Sequence, residues 1–230
     1  MNDAGLWDVQ DYKSASTPSY YTHVLWPMLE VEQEVGDGAL RDGAERGFRS
    51  VMARARENGA IAEWSFEPTK PAFTHTIAYT LRGAQECSRL LGNNEFLPAI
   101  HAALDRLVQA SELRGGRLPG AFEQDWSAKD SFICLTGNAQ VAKCVLIYER
   151  AAPDLRLVSA AARMVDVVCR HQRLRHVLGG VRGGVAGSAP LRGPYMRFRY
   201  PNWAAKYFCD AIVALCARLD EEEGCRPAGS

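Results

Sequence analysis

A chain of 230 residues with 27 basic and 27 acidic side chains is long enough for one domain with a substantial core. Its zero formal net charge argues against general nucleic-acid binding, which needs a basic excess to neutralise phosphates. Seven cysteines with no CxxC pair and no zinc-finger Cys/His spacing exclude a disulfide framework and a structural zinc, so the thiols read as reduced and mostly buried.

Residues 1–18 are polar and aperiodic and read as an N-terminal extension. They lack the basic start and apolar run of a signal peptide, and no apolar stretch approaches the roughly 18 residues of a membrane span. A soluble cytoplasmic protein is the expectation. From Tyr20 through Val24, Leu25, Met28, Leu29 and Val31 the apolar positions recur at helical spacing up to Gly36, with Pro27 inside. A second helix is expected from about Leu40 to Asn58, with Gly59 as its stop. Later segments predict helices over about Thr74 to Leu91, Glu95 to Leu113, Leu135 to Ala151, Leu155 to His171 and Asn202 to Leu219. The chain from 221 to 230 reads as a flexible tail.

Laying these segments over one another exposes a repeat. One constant offset places Ala78 on Ala139, Arg82 on Lys143 and Arg89 on Arg150, and brings Trp64-Ser65 close to Trp126-Ser127. Helical hairpins of about 55 to 65 residues predict an all-α domain over 19–220, a partial or small α/α toroid of about seven helices. Three loops rich in aromatic residues feed three helix starts, around Trp64 and Thr74, Trp126 and Leu135, and Tyr200 and Asn202. Repeat stacking would bring the loops 59–73, 115–134 and 173–201 to one end, around a shared pocket.

Between Asp166 and Asp210 there is no acidic residue, while Arg170, Arg173, Arg175, Arg182, Arg192, Arg197, Arg199 and Lys206 all fall there. Guanidinium forks grip carboxylates and phosphates bidentately, so the segment predicts an anionic small-molecule or oligosaccharide ligand. Gly179, Gly180, Gly183, Gly184 and Gly187 would let backbone N–H groups approach the same anion. No Gly-Lys-Ser/Thr follows, so this is not a nucleotide loop, and no cofactor or metal is expected.

His75 and Tyr79 share a face at i and i+4, a pair suited to abstracting the proton next to a carboxylate; a hydrogen-bonded helix anchor beside a packing tyrosine is the plainer alternative. Their expected counterpart is Arg197, Arg199 or Lys206. Asp125 beside Glu123, Trp126 and Trp64 resembles a sugar-binding rim with a carboxylate for general acid work, or loop acids with packing tryptophans. Asn138 and Gln140, in the first turns of a packed helix, bind sugar hydroxyls or cap neighbouring loops. Tyr200, Asn202 and Trp203 complete the candidate binding set. Cys209 and Cys216, seven apart, have core spacing.

The phrases Tyr20-Tyr21-Thr22-His23-Val24-Leu25-Trp26-Pro27, Phe73-Thr74-His75-Thr76-Ile77-Ala78-Tyr79, Cys134-Leu135-Thr136-Gly137-Asn138-Ala139-Gln140, Gly183-Gly184-Val185-Ala186-Gly187-Ser188 and Tyr200-Pro201-Asn202-Trp203-Ala204-Ala205-Lys206 resemble a bacterial family of α/α-toroid proteins found with polysaccharide biosynthesis. That family is related to six-hairpin glycosidases, uronate epimerases and lyases. The resemblance implies the toroid fold and a carbohydrate context. A complete six-hairpin ring has about twelve helices and this chain supplies about seven, so closure implies a second copy or a smaller ring. The related terpenoid-cyclase branch is disfavoured, since neither a DxDD motif nor a zinc-ligand set is present. The leading expectation is an enzyme acting on an acidic sugar by proton abstraction, as an epimerase or lyase. The alternatives are a noncatalytic glycan-binding or scaffold subunit, and a glycoside hydrolase.

Overall fold

The computed structural model describes residues 1–7 and 17–224. Among them are seven α-helices and five strands of two residues each, so the protein is all-α. The chain divides into two compact units, Met1–Arg106 with Ala121–Lys129, and Leu107–Gly120 with Asp130–Ser230.

In the first unit, a 3-10 turn at Ser19–Tyr21 leads into α1 (Thr22–Val35), which carries Pro27 without breaking and ends at Gly36. Asp37 caps α2 (Gly38–Met52) by accepting the N–H of Ala39 at 3.0 Å, satisfying one of the helix's orphan donors. Its end falls six residues before the expected Asn58. The reason is turn chemistry: Asn58-Gly59, with Gly59 at φ 83°, turns the chain back so that Arg56 donates to the Ala60 carbonyl at 2.8 Å and Ala55 bridges Ile61. Asn-Gly is a hairpin signal as much as a helix stop, and here pairing wins over helix extension.

β1 (Ala72–Phe73) runs into α3 (Thr74–Leu91), which is buried over most of its length. Gly83 lets α3 lie directly on the backbone of Thr22 and His23, where a Cβ would come within 2.3 Å, and Thr22 Oγ1 donates to the Thr80 carbonyl at 2.9 Å. Leu25, Leu29, Phe48, Ile77 and Leu81 form the core between α1, α2 and α3, all fully buried. Of the expected N-terminal extension, residues 8–16 lie outside the described residues; Gly5 rests on the α2 backbone at Gly43 and Gly47, and Ser50 Oγ donates to the Ala4 carbonyl at 2.8 Å. β2 (Ala121–Phe122) pairs antiparallel with β1 and with β3 (Ala128–Lys129). α4 (Leu97–Glu112) begins in this unit, and its last turns count with the second.

The second unit is built around α5 (Leu135–Ala151), which packs on both α6 (Leu155–His171) and α7 (Asn202–Gly224). Asp154 caps α6 through the N–H of Arg156 at 2.8 Å. β4 (Ile133–Cys134) pairs antiparallel with β5 (Ser188–Ala189), which ties the start of α5 to the long glycine- and arginine-rich loop. Glu149 of α5, only 2% exposed, forks onto Arg218 of α7 through two 2.9 Å bonds. That pair, with Arg150–Glu221 at 3.1 Å, ties α7 to α5 along a helix that extends to Gly224. Residues 225–230 lie outside the described residues.

The cysteines divide differently from expectation. Cys87, Cys134 and Cys144 are buried, but Cys169, Cys209 and Cys216 are exposed. α7 buries the face bearing Ala204, Phe208 and Ala211, and Cys209 and Cys216 fall beside it, so a seven-residue spacing marked an outer stripe instead of the core.

Candidate functional site

The first unit brings several predicted residues together and encloses most of them. His75 and Tyr79 meet as their spacing implies, with ring centroids 4.2 Å apart. The other face of Tyr79 stacks on His23, at 4.3 Å and an interplanar angle of 9°. His23 in turn meets the edge of Trp26, whose ring lies 4.7 Å beneath the Arg82 guanidinium, and Arg82 is paired with Glu86. His75 is only 4% exposed, whereas Tyr79 is half-buried between two imidazoles. His23 was missing from the sequence reading because nothing in one helix marks which residue a second helix will place against it.

The predicted sugar rim behaves as structure. Trp64 is fully buried, its ring edge-on to Trp126 at 5.3 Å, so its indole face is closed to any ligand. Trp126, held at φ 69°, donates from Nε1 to the Asn58 carbonyl at 3.0 Å. Asp125 is exposed and accepts the N–H of Ser127 at 2.8 Å. Hydrogen bonds from the Ser127 side chain and then its backbone hold the Asp125 carboxyl below the usual range. A general acid needs the opposite shift, so the proton-donor role expected of Asp125 is not supported. Glu63 and Glu123 are engaged with Arg54 at 2.9 Å and Lys129 at 3.0 Å.

In the second unit, Asn138 is fully buried and acts as a clamp. Its Oδ1 accepts the N–H of Leu118 at 2.9 Å, and its Nδ2 donates to the carbonyls of Gly116 at 3.1 Å and Met164 at 2.9 Å. Of its two expected roles, loop capping is the one seen, and both amide hydrogens are engaged away from any sugar. Gln140 is also buried. Lys206 is paired with Asp210 at 2.7 Å, and Arg170 with Asp166 at 2.7 Å. The two acids bounding the basic stretch thus neutralise its outermost cations. Arg197 is exposed, with its guanidinium over Phe198, and Arg199 is exposed as well. Asn202 accepts the N–H of Trp203, and Trp203 Nε1 donates to the Tyr195 hydroxyl at 3.0 Å. The N–H groups of Gly183, Gly184 and Gly187 bond to the carbonyls of Arg173, Val181 and Arg199, so these three close the loop instead of facing an anion.

What the second unit does contain is a cleft of about 420 Å³ lined from both of its long loops, by Arg117, Asp130, Ser131, Phe132 and Ile133 on one side and by Arg173, Ser188, Leu191 and Tyr200 on the other, with His171 at the end of α6. A smaller recess of about 250 Å³ shares Arg117, Asp130, Phe132 and Ile133 with it and adds Arg114. These volumes suit a sugar-sized ligand. Asp130 is gripped by Arg114 through bonds of 3.1 and 3.0 Å. Arg117 and Arg173 make no ion pair among the described residues.

His171 Nδ1 lies 2.7 Å from the Val167 carbonyl. A carbonyl can only accept, so Nδ1 carries the hydrogen and the neutral ring has its lone pair on Nε2. Of the sequence-predicted residues, Arg173 of the basic stretch and Tyr200 of the candidate binding set line this cleft. The sequence signal for the others was thin: a histidine closing a helix just before a basic loop, and one arginine in Gly115-Gly116-Arg117.

Among the described residues no group of three or more His, Cys, Asp or Glu could hold a metal ion, and no helix is long and apolar enough to cross a membrane.

No protein-family model matches the sequence, and neither does any curated protein. Solved structures do match in fold. An unsaturated glucuronyl hydrolase from Bacillus sp. GL1, responsible for glycosaminoglycan degradation, superposes with TM-score 0.71 at 19% identity over 93% of this chain. An unsaturated glucuronyl hydrolase specific for heparin gives 0.74 at 12% identity over 95%. The cellobiose 2-epimerase of Spirochaeta thermophila gives 0.67 at 14% identity over 86%. The chain spans 63% and 65% of the lengths of the two hydrolases and 52% of that of the epimerase. These likenesses show the fold alone: an all-α, α/α-toroid-like arrangement of helices shared with these solved structures.

Proposed function

We propose that this chain belongs to an enzyme acting on an acidic, carboxylated sugar, which it binds in the cleft of the second unit. The observation that carries this reading is the presence in one cleft of sugar size of two guanidinium groups that make no ion pair among the described residues, Arg117 and Arg173, with an imidazole of defined tautomer, His171. The solved structures of like fold include two unsaturated glucuronyl hydrolases, which supports an acidic sugar as the substrate class. The carboxylate-gripping role expected of Arg197, Arg199 and Lys206 passes to Arg117 and Arg173, because Lys206 is paired with Asp210 and neither Arg197 nor Arg199 lines the cleft.

Of the reaction types, proton abstraction suits these groups best. Nε2 of His171 takes the hydrogen on the carbon next to the carboxylate, and the C–H electron pair moves into the carboxylate to give an enediolate, which the cationic groups stabilise. Return of a proton to the opposite face gives the epimer, and loss of the β-substituent with its bonding pair gives an unsaturated sugar. Glycoside hydrolysis needs a protonated carboxyl beside a second carboxylate, and neither Asp125, held ionised, nor Asp130, gripped by Arg114, suits the donor. Tyr79 between His23 and His75 is a second candidate for proton transfer, favoured by the two imidazoles on its faces.

The deciding experiment is calorimetric titration with glucuronate, galacturonate and glucose, together with solvent-deuterium incorporation into uronate oligosaccharides. Uronates should bind more tightly than glucose, with an affinity that falls with salt, and Arg117→Ala and Arg173→Ala should each weaken that preference about tenfold. His171→Ala should abolish deuterium uptake while binding persists. Equal binding of uronate and glucose would sink the reading. The same reading proposes a second copy to cover apolar surface such as that left by Val24, Val31 and Val35 on α1.

A further inference from the structure

Beside the cleft, residues 173–184 form a loop closed at its neck. The Arg173 N–H donates to the Gly184 carbonyl at 3.0 Å, and the Gly183 N–H donates back to the Arg173 carbonyl at 2.7 Å. Gln172 Nε2 adds a bond to the Gly183 carbonyl at 3.0 Å. Within the loop, Val181 and Arg182 donate to the carbonyls of Leu178 and Gly179 at 3.0 and 3.2 Å. Backbone pairing thus holds the segment as a defined protrusion.

Its outer surface is apolar and uncovered at three positions: Leu174, just beyond the neck, is 65% exposed, and Val177 and Leu178 towards the tip are 97% and 63% exposed. Flanking them, Arg175 and Arg182 are exposed and form no ion pair among the described residues, unlike Arg170 and Lys206 at either end of the basic stretch. No acidic residue lies within the loop. Water is a poor solvent for three neighbouring aliphatic side chains, and cations left without acids call for a negative surface.

We propose that this loop is a contact element for an anionic lipid bilayer, with Leu174, Val177 and Leu178 entering the headgroup region and Arg175 and Arg182 meeting lipid phosphates. The shape favours a bilayer over a protein partner. A stable protein interface covers about 800 Å² on each side, which suits a broad face, whereas a narrow protrusion with three aliphatic side chains and flanking cations matches the interfacial mode of membrane binding. Each arginine near an anionic leaflet contributes roughly a fivefold gain in affinity. Arg173 belongs both to the neck and to the cleft lining, so docking by the tip would hold the cleft near the surface. The inference stands on the exposed tip alone and does not depend on what the cleft binds.

The test is flotation of the full chain with vesicles of phosphatidylcholine alone and of phosphatidylcholine mixed with phosphatidylglycerol, at low and high salt. Binding to the mixed vesicles only, weakened by salt, is expected. Val177→Asp with Leu178→Asp should reduce that binding at least about tenfold, and Arg175→Gln with Arg182→Gln should reduce it about as much, while circular dichroism and the thermal midpoint stay at the parent's values. Equal binding to neutral vesicles, no binding to either, or undiminished binding by the aspartate variant would overturn the proposal. So would a dimer in light scattering that the aspartate variant dissolves, since a second copy would then be the occupant.

Discussion

The first unit and the second use similar residues to different ends. In the first, tryptophan, histidine and tyrosine turn inward: Trp64 is fully buried and His75 nearly so, and Tyr79 lies between two imidazoles. In the second, a histidine, a tyrosine and two arginines that make no ion pair among the described residues line an open cleft. Residue type is therefore a poor guide to a site. What separates the two cases is how fully each polar group is engaged inside the fold: Asn138 uses its oxygen and its amide hydrogens there, whereas Arg117, exposed, bonds the Arg114 carbonyl at 3.2 Å and makes no ion pair among the described residues.

The largest expected effect tests whether the second unit, despite its open cleft, is locked elsewhere. Glu149→Ala should lower stability by about 3–5 kcal/mol, because it strands Arg218 without its nearly buried partner. Glu221→Ala, which removes an exposed pair, should cost about 1 kcal/mol or less. Urea unfolding curves for the two variants give the contrast, and similar midpoints would show that burial of Glu149 does not govern its contribution.

Next comes Asn138→Ala, which should cost about 2–4 kcal/mol by leaving the Leu118 N–H unsatisfied in the core and removing a bond from each of the Gly116 and Met164 carbonyls. It should also loosen the loop carrying Arg117, seen as faster amide exchange at Leu118. A small loss with unchanged exchange would mean the loop is held by other contacts.

A smaller effect sharpens the comparison from the other side. Tyr79→Phe keeps the ring that stacks on His23 and His75 and removes only the hydroxyl, so stability should change by under about 1 kcal/mol. Uronate binding should persist, and turnover should persist too if His171 is the base. Turnover lost with binding intact would transfer the chemistry to the first unit.

The smallest is a pH effect. Burial holds the imidazole of His101 below its usual 6.5, against the opposing pull of Asp105. A folded-state value below the unfolded one means that the unfolded chain takes up the proton first. Stability should therefore be complete above about 6.5 and decline as pH falls from there through the lower folded value. His101→Gln should flatten that slope between pH 7 and 5 in thermal melts, and an unchanged slope would point to other groups.

The helices were legible from the sequence because they depend on local pattern. The apolar period from Thr74 to Leu91 and from Leu155 to His171, with the Pro153-Asp154 break before the latter, is resolved within a few turns of chain and needs no distant partner. α2 was overextended because Asn58-Gly59 serves equally as helix stop and hairpin turn, and only pairing of Ala55 with Ile61 decides between them. Cys209 and Cys216 were misplaced because a seven-residue spacing names a face without saying which face is covered.

The basic stretch and its lack of acids were plain in the sequence, which also suggested one pocket shared by the loops 59–73, 115–134 and 173–201; the cleft is lined from the latter two. Which cations remain available was not. Asp166 and Asp210 remove Arg170 and Lys206, and Asp130 engages Arg114, leaving Arg117 and Arg173 in the cleft. The first two are i,i+4 pairs, each within one helix, whereas the Arg114–Asp130 pair spans 16 residues and the pairing of β4 with β5 joins still more distant segments. Local propensity acts over a few residues, so it sets helices and caps. The Arg114–Asp130 pair, burial, and the meeting of Arg117, Arg173 and His171 in one cleft are settled by neighbours brought together only when the chain has folded, and so the site was decided by tertiary structure.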